Sequence, residues 1–221
     1  MRNTSTRSSP ADVGLRIVGS PLSPYVRKVL VFLDLKGLAC ELDPIVPFFG
    51  DDRFTALSPL RRIPVLIDGD VVLSDSSVIC QYLEDRYPAP ALYPGDVADR
   101  ARARWLEEYA DSRMGDVLVW GLYNHAVIAP AVWGTPRDLE AIERITREDI
   151  PPVLDYLESQ LPGDGFLFGP LGIADISIAS FFRNAAFARY RIDAGRWPVT
   201  ARFVDRVLGQ ECFTRLQPFE A

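Results

Sequence analysis

Two neighbouring stretches decide how this chain folds: Arg62-Ile63-Pro64-Val65-Leu66 and, shortly after it, Asp75-Ser76-Ser77. A proline between apolar residues, ahead of the turn Asp68-Gly69-Asp70, predicts a cis Ile63-Pro64 bond at the start of an edge-forming strand, which leaves backbone groups free for a ligand. Asp75-Ser76 opens an amphipathic helical run, so free amides and a positive dipole end would face the same place. The two stretches indicate a site for a small extended molecule that carries carboxylates and an amine.

Composition limits the classes of protein that this chain can be. With 221 residues, of which 48% are apolar, it can bury a core in one large domain or two small ones. A formal charge of -6 and a pI near 4.9 argue against nucleic acid and anionic membrane as partners. The polar stretch 1–14 is expected to be a flexible tail without a secretion signal, and no apolar run is long enough to span a membrane.

Cysteine usage indicates the redox environment. Cys40, Cys80 and Cys212 are scattered and form no C-x-x-C pair, so the sequence predicts neither a disulfide framework nor a zinc site. A reducing cytoplasm is the expected location.

The first part of the chain alternates short strands and helices. Ser23-Pro24 is a strong helix start, with serine at the N-cap and proline at the first helical position. Strands are expected at 15–18, 40–46, 65–67 and 71–74, and helices at 24–36, 51–57 and 75–86.

Beyond Pro94-Gly95 only helical patterns follow. Helices are expected over 96–129, 137–161, 173–189 and 198–208, the third of them buried on most sides. In the first, Trp105, Leu106, Tyr109 and Leu118 are expected to face inward, and Arg100, Arg104 and Glu108 outward. The pattern does not decide whether Pro151-Pro152 kinks or restarts the second helix.

Four motifs in this order resemble one family: Ser23-Pro24-Tyr25-Val26-Arg27-Lys28-Val29, Ser58 to Leu66, Asp75 to Ile79, and Gly172-Ile173-Ala174-Asp175-Ile176. The chain resembles the cytosolic glutathione transferase superfamily, in particular serine-type members of the tau, phi and zeta classes and bacterial relatives. The resemblance implies an α+β, thioredoxin-like domain with a mixed four-stranded sheet over 15–90. It also implies an all-α helical-bundle domain over 91–221.

By this resemblance, Ser23 donates to the sulfur of glutathione. A hydroxyl at a helix N-terminus stabilises a thiolate because the dipole and nearby amides favour negative charge. Two other interpretations stay open: Ser23 as an N-cap only, and Ser20 as the hydroxyl that contacts the sulfur.

The resemblance also assigns the remaining contacts of glutathione, a co-substrate that needs no metal. Ser76 takes the γ-glutamyl carboxylate, Asp75 the ammonium, Ile63 with Pro64 the backbone of the cysteinyl unit, and Arg62 the glycyl carboxylate. The electrophile is expected near Tyr25, Tyr109, Arg113 and Tyr123.

The resemblance implies attack of the glutathione thiolate on an electrophilic, largely apolar small molecule by a homodimer in the cytoplasm, with no nucleic-acid or membrane partner. The alternatives are a glutathione-dependent peroxidase, disulfide reductase or isomerase, and a non-catalytic binding or regulatory protein. Gly172 departs from the serine or threonine usual at its position, but Asp175 is still expected to close that helical turn. His125 is expected to be an ordinary helix residue and Cys80 a core residue.

Overall fold

The computed structural model describes residues 14–45 and 47–220, and the first of its two parts is built on a four-stranded mixed sheet. The strands are β1 (Leu15–Val18), β2 (Cys40–Asp43), β3 (Val65–Asp68) and β4 (Val71–Leu73). Their order is β2-β1-β3-β4, with β1 parallel to β2 and antiparallel to β3, and β4 antiparallel to β3. β2 ends earlier than predicted, and position 46 lies outside the described residues.

The expectation that an edge strand follows Pro64 was wrong. β3 pairs on both sides, because Leu66 lies opposite Ile17 of β1 and opposite Leu73 of β4. The Ile63-Pro64 bond is cis, as predicted. Since β3 begins only at Val65, the backbone of Ile63 lies before the ladder rather than within it.

Three helices cover the sheet: α1 (Pro24–Leu35), α2 (Asp52–Leu57) and α3 (Ser76–Arg86). Successive residues of a strand point to opposite faces, so Ile17 joins the main core while Val18 packs with Phe54 of α2. Ser23 is the N-cap of α1, as predicted, and Asp75, predicted as the first helical residue, is the N-cap of α3. These two helix starts position the candidate site.

The second part of the chain is helical. Its helices are α4 (Val97–Tyr109), α5 (Ala129–Trp133), α6 (Leu139–Arg144), α7 (Ile150–Gln160), α8 (Ile173–Phe187), α9 (Pro198–Leu208) and α10 (Glu211–Thr214). The wide-turn helical segment Ala110–Ile128 joins α4 to α5, so residues 97–133 form one long helix that ends at Gly134 in the left-handed conformation. The predicted architecture is confirmed.

Of the two alternatives for Pro151-Pro152, a restart is excluded, because residues 139–160 are helical throughout. The wide-turn segment Ile145–Asp149 connects α6 to α7, and both Ile145 and Ile150 keep right-handed helical angles. The wider turn accommodates the two residues that lack a backbone N–H.

Burial shows which of the residues expected to face inward on the long helix do so. Leu106 and Leu118 are buried as predicted, but Trp105 is 57% exposed, and the charged Glu107 is buried instead. α8 is the buried helix of the second part, as predicted, and packs against α1, α4, α9 and the segment 110–128. It therefore ties the helical part to the sheet-bearing part.

The proposed division into a tail at 1–14 and domains at 15–90 and 91–221 stays a prediction, and residues 1–13 lie outside the described range. No helix in the described ranges is long and apolar enough to cross a membrane.

Candidate active site

Ser23 lies at the N-terminus of α1, and its hydroxyl has no hydrogen-bond partner among the described residues. Its backbone is extended, its N–H donates to Ser20 O at 3.0 Å, and its C=O accepts from Arg27 N at 2.9 Å. Its side chain makes no capping hydrogen bond. The hydroxyl of a half-buried residue is thus left available beside the free N–H groups of a twelve-residue helix.

Ser20, the other serine that could contact the sulfur, makes a hydrogen bond within its own loop. Its Oγ accepts a hydrogen bond from Leu22 N at 3.3 Å and so shapes the loop before α1. An oxygen that accepts from the backbone can still donate its own proton, so this contact does not decide between the two serines.

Tyr25 connects the first turn of α1 to the long helix. Its hydroxyl donates to the backbone oxygen of Asp111 at 2.9 Å, and its ring packs edge-on against Phe181 at 5.2 Å. Gly115 permits this approach, since a Cβ there would lie 2.5 Å from the Tyr25 oxygen. Burial, with Asp111 adding to it, raises the pKa of Tyr25. Its single phenolic proton is engaged within the protein.

A buried charge cluster, the Lys28 cluster, lies behind these contacts. Lys28 is fully buried, and its Nζ lies 3.0 Å from Glu107 Oε1, 2.5 Å from Asp111 Oδ2 and 3.1 Å from Ser77 Oγ. Ser77 Oγ also donates to Asp111 Oδ2 at 2.9 Å, and Tyr93 donates to Glu107 Oε2 at 3.0 Å. The cluster joins α1, the first turn of α3 and the long helix.

The two carboxylates of the cluster keep Lys28 protonated. Burial alone would lower the pKa of Lys28, but the carboxylates of Asp111 and Glu107 raise it above its usual value. Burial raises the pKa of Asp111, and Lys28 opposes that shift. Asp111 Oδ1 is buried and has no hydrogen-bond partner among the described residues.

The N-terminus of α3 carries the predicted γ-glutamyl contacts. The Asp75 carboxylate is exposed, and its Oδ1 accepts from Ser77 N and Val78 N, each at 3.0 Å. Ser76, the first residue of α3, is 5% exposed. The structure therefore puts a carboxylate and a hydroxyl side by side at a helix N-terminus, as the sequence predicted.

Ser58, to which the sequence analysis assigned no role, fixes the backbone before Ile63. It is fully buried; its Oγ accepts from Arg62 N at 2.9 Å and donates to Arg62 O at 2.7 Å. Arg61 is engaged nearby with Thr55 and Gly50, whereas the Arg62 side chain is exposed. Ser58 opens one of the four motifs quoted above, but that motif alone indicates no role for it.

The four predicted electrophile contacts have different surroundings in the structure. Tyr109 packs against Tyr156 with ring centroids 4.5 Å apart, and Tyr123 is buried against Phe187 at 6.2 Å. Arg113 is exposed, and Tyr25 holds the contact described above. Their roles in substrate binding stay predictions.

A group of exposed and half-buried rings comes from both parts of the chain; we call it the aromatic wall. Phe48 contacts Trp120 and Trp133 with centroids 6.5 and 5.6 Å apart, and Phe49 contacts Trp133 at 6.0 Å. Phe49, Trp120 and Trp133 are each at least half exposed. Trp120 lies five residues beyond Gly115 on the same helical segment. Sequence analysis missed the wall because its members are far apart in the chain.

The structure gives no sign of a catalytic or metal-binding role for His125 or Cys80 among the described residues. His125 is partly exposed and lies 3.8 Å from Asp138. Cys80 is fully buried, and burial raises the pKa of its thiol well above the usual value. Within residues 14–45 and 47–220, no group of His, Cys, Asp and Glu side chains could hold a metal ion.

Comparison with known proteins agrees with this geometry. Residues 17–91 match the family model for the glutathione S-transferase N-terminal domain, and residues 139–206 match the model for its C-terminal domain. Glutathione S-transferase 3 of Zea mays is 32% identical over 160 residues, which cover 70% of each chain.

Solved structures agree as well. A glutathione S-transferase from Rhodospirillum rubrum superimposes with a TM-score of 0.83 at 27% identity, over 91% of each chain. A bacterial maleyl pyruvate isomerase, described as a zeta-class glutathione S-transferase, gives a TM-score of 0.75 at 26% identity, over 93% of this chain and 98% of that one. Sequence motifs, site geometry and these matches lead to one conclusion: the chain belongs to the glutathione S-transferase family.

Proposed function

We propose that this protein is a glutathione transferase that holds the thiol of glutathione as a thiolate at Ser23 and directs it at an electrophilic, largely apolar small molecule. The observation that carries the proposal is the Ser23 hydroxyl, which stands at the start of α1 without a capping bond. A donor in this position stabilises a thiolate more than a thiol, since a hydrogen bond to the charged form and the helix dipole both favour it.

Glutathione would lie between the starts of α1 and α3. Asp75 and Ser76 suit its γ-glutamyl ammonium and carboxylate, and the backbone of Ile63 precedes β3, where it can pair with the cysteinyl unit. The exposed Arg62 suits the glycyl carboxylate, and Ser58 holds the backbone of that residue in place.

The acceptor would lie against the aromatic wall rather than among Tyr25, Tyr109, Arg113 and Tyr123. Exposed indole and phenyl faces favour flat apolar molecules, because stacking adds to the burial of apolar surface. The wall also contains residues from both parts of the chain, which suits a molecule that must reach a thiolate on the first part.

Substitution of the two rival serines tests the thiolate. We expect Ser23→Ala to raise the apparent pKa of bound glutathione by about one to two units and to slow conjugation about tenfold to a hundredfold. Binding of glutathione and protein stability should change little, since the hydroxyl caps nothing. Ultraviolet difference titration of the bound thiolate measures the first effect, and conjugation of a chlorinated nitrobenzene measures the second.

Ser20→Ala is the matched control. It removes a hydroxyl from the same loop, and we expect it to leave the thiol titration of wild type unchanged. If Ser20→Ala raises the thiol pKa and Ser23→Ala does not, Ser20 is the residue that stabilises the thiolate. If glutathione binds to the wild type without ionising, the protein is a non-catalytic binding protein instead.

Tryptophan replacement tests the acceptor site. Trp133→Leu should raise the KM for a flat aromatic acceptor several-fold and leave the KM for glutathione unchanged, since it removes one face of the wall. Trp105→Leu is the control, because Trp105 is equally exposed at 57% but lies outside the wall. If both substitutions change the KM for the acceptor equally, the aromatic wall is not the acceptor site.

A second candidate function uses the same glutathione site. Similarity to the maleyl pyruvate isomerase favours an isomerase, in which the thiolate adds to an unsaturated substrate and leaves again after bond rotation. Quantifying glutathione separates the two functions: a transferase consumes one thiol for each product, whereas an isomerase returns it.

We further propose a homodimer in which the two different domains of facing subunits meet, located in the cytoplasm. Dimers are typical of the family, and the three cysteines are free, as a reducing compartment favours. Sedimentation equilibrium should give twice the chain mass of 24.7 kDa. A species of the single-chain mass at micromolar concentration would contradict the dimer.

A further inference from the structure

A buried carboxylate near the end of the described chain holds α1 and α8 together. The Glu220 side chain is 3% exposed. Its Oε1 lies 2.6 Å from Arg27 Nε on α1, and its Oε2 lies 2.8 Å from Arg183 Nε on α8. One carboxylate thus pairs with two guanidinium groups, which lie on different parts of the molecule.

The Arg27 guanidinium is fully engaged. Besides Glu220, it donates through one terminal nitrogen to Ser180 O at 2.9 Å and Asn184 Oδ1 at 2.7 Å. The other terminal nitrogen donates to Pro21 O at 3.2 Å and Leu22 O at 3.5 Å. Since arginine has five N–H donors in a rigid plane, these contacts fix the group completely.

Two of these contacts act on the loop that leads to Ser23. The carbonyl groups of Pro21 and Leu22 point at the Arg27 guanidinium, and Asn184 Nδ2 also donates to Leu22 O at 2.9 Å. A carbonyl oxygen turned toward a bound thiolate would repel it, because both carry negative charge. Arg27 and Asn184 hold the carbonyl oxygens of Pro21 and Leu22 in hydrogen bonds. The free N–H groups at the start of α1 can then face an anion without repulsion from these oxygens.

Glu220 is the charge on which this arrangement depends. Burial lowers the pKa of Arg27, the nearby Arg183 lowers it further, and Glu220 opposes both. Both arginines also lie over the ring of Phe187, at 5.6 and 4.7 Å. Without the carboxylate, the buried Arg27 would lie beside the partly exposed Arg183 with no counter-charge, which is unfavourable.

We propose that Glu220 is a positioning residue for thiolate formation: through Arg27 it fixes the loop 20–22 and so the orientation of Ser23. This inference rests on the proposed glutathione site. The effect of Glu220 on the loop 20–22 does not require glutathione, so it can be measured in the ligand-free protein.

The experiment compares Glu220→Gln with Glu211→Gln, an equal loss of charge at an exposed position of the same terminal segment. Hydrogen exchange of the ligand-free protein should show at least about tenfold faster exchange of the Leu22 and Ser23 amides in Glu220→Gln only. Difference titration of bound glutathione should show a thiol pKa about one unit higher in Glu220→Gln only, with a similar dissociation constant.

Each outcome decides the matter. Faster exchange without a change of thiol pKa would reduce Glu220 to a stabilising residue, and unchanged exchange would overturn the proposal altogether. If Glu220→Gln does not fold, Arg183→Gln, which removes the second partner of the same carboxylate, must show both effects in weaker form. Failure of the wild type to bind glutathione would instead refute the proposed function, while the exchange result would still decide whether Glu220 fixes the loop.

Discussion

Asp175 closes the first turn of α8 from a buried position. It is 1% exposed, and its two oxygens accept from Leu167 N and Gly172 N, each at 2.9 Å. Burial raises the pKa of Asp175 to about 6, although the two backbone bonds favour the charged form. The ionised side chain that satisfies two backbone N–H groups therefore has a cost at neutral pH.

This residue should make stability depend on pH in an unusual direction. Because the folded pKa of about 6 exceeds the ordinary 3.8, the folded state binds the proton more tightly, and stability from this group falls as pH rises from about 4 to 6. We expect the advantage of wild type over Asp175→Asn in unfolding free energy to be about 3 kcal/mol larger near pH 4 than near pH 7. Urea unfolding at several pH values measures it.

Asp164→Asn is the control for general charge effects, since Asp164 is almost fully exposed. Its difference from wild type should vary little with pH. A constant difference for Asp175→Asn across the same range would mean that the buried carboxyl keeps an ordinary pKa.

At the scale of elements, the start of α8 shows how a tertiary contact overrides a local preference. Gly172 is the N-cap, where serine or threonine is ordinarily better. A Cβ at Gly172 would lie 2.8 Å from the backbone oxygen of Leu92, which accepts a hydrogen bond from Ile173 N at 2.9 Å. The glycine is needed for this close approach of backbone to backbone.

Gly172→Ser should therefore lower the free energy of unfolding by about 1–3 kcal/mol, although the substitution improves the N-cap by type. Chemical denaturation measures the change. Gly163→Ser is the matched control, because a Cβ at Gly163 would meet nothing within 4 Å. A Gly172→Ser variant more stable than wild type would show that Leu92 can move aside.

Local signals predicted the elements well, and the contacts between them poorly. The helix starts after Ser23 and Asp75 were found because caps and prolines act on their own turn. Trp105 was placed inside because helical spacing defines a stripe but not the element that covers it. The position of Glu107 depends on Lys28, and that of Phe48 on Trp120, which are distant in sequence.

The same limit applied to the candidate site. The placement of Ser23, Ser76 and Asp75 at helix starts could be predicted, because those starts carry recognisable motifs. The aromatic wall and the contact between Glu220 and Arg27 need two separate stretches of chain to meet, so no local pattern signals them.

At the scale of the whole molecule, buried charges connect the sheet-bearing part to the helical part. Lys28 of α1 is fully buried, and both of its acidic partners, Glu107 and Asp111, lie on the long helix. Removing one member of a buried ion pair leaves the others without a counter-charge, which is more costly than the net value of the pair. The two parts should therefore unfold together.

Lys28→Met tests this coupling, because the change lies in the first part and the tryptophan signal arises in the second. All four tryptophans lie between positions 105 and 197, so their fluorescence reports the helical part. We expect Lys28→Met to lower the free energy of unfolding by about 3–5 kcal/mol in fluorescence and circular dichroism alike. Arg53→Met, at an exposed position of α2, should change neither signal. A fluorescence transition that stays at the wild-type midpoint would show that the two parts unfold independently.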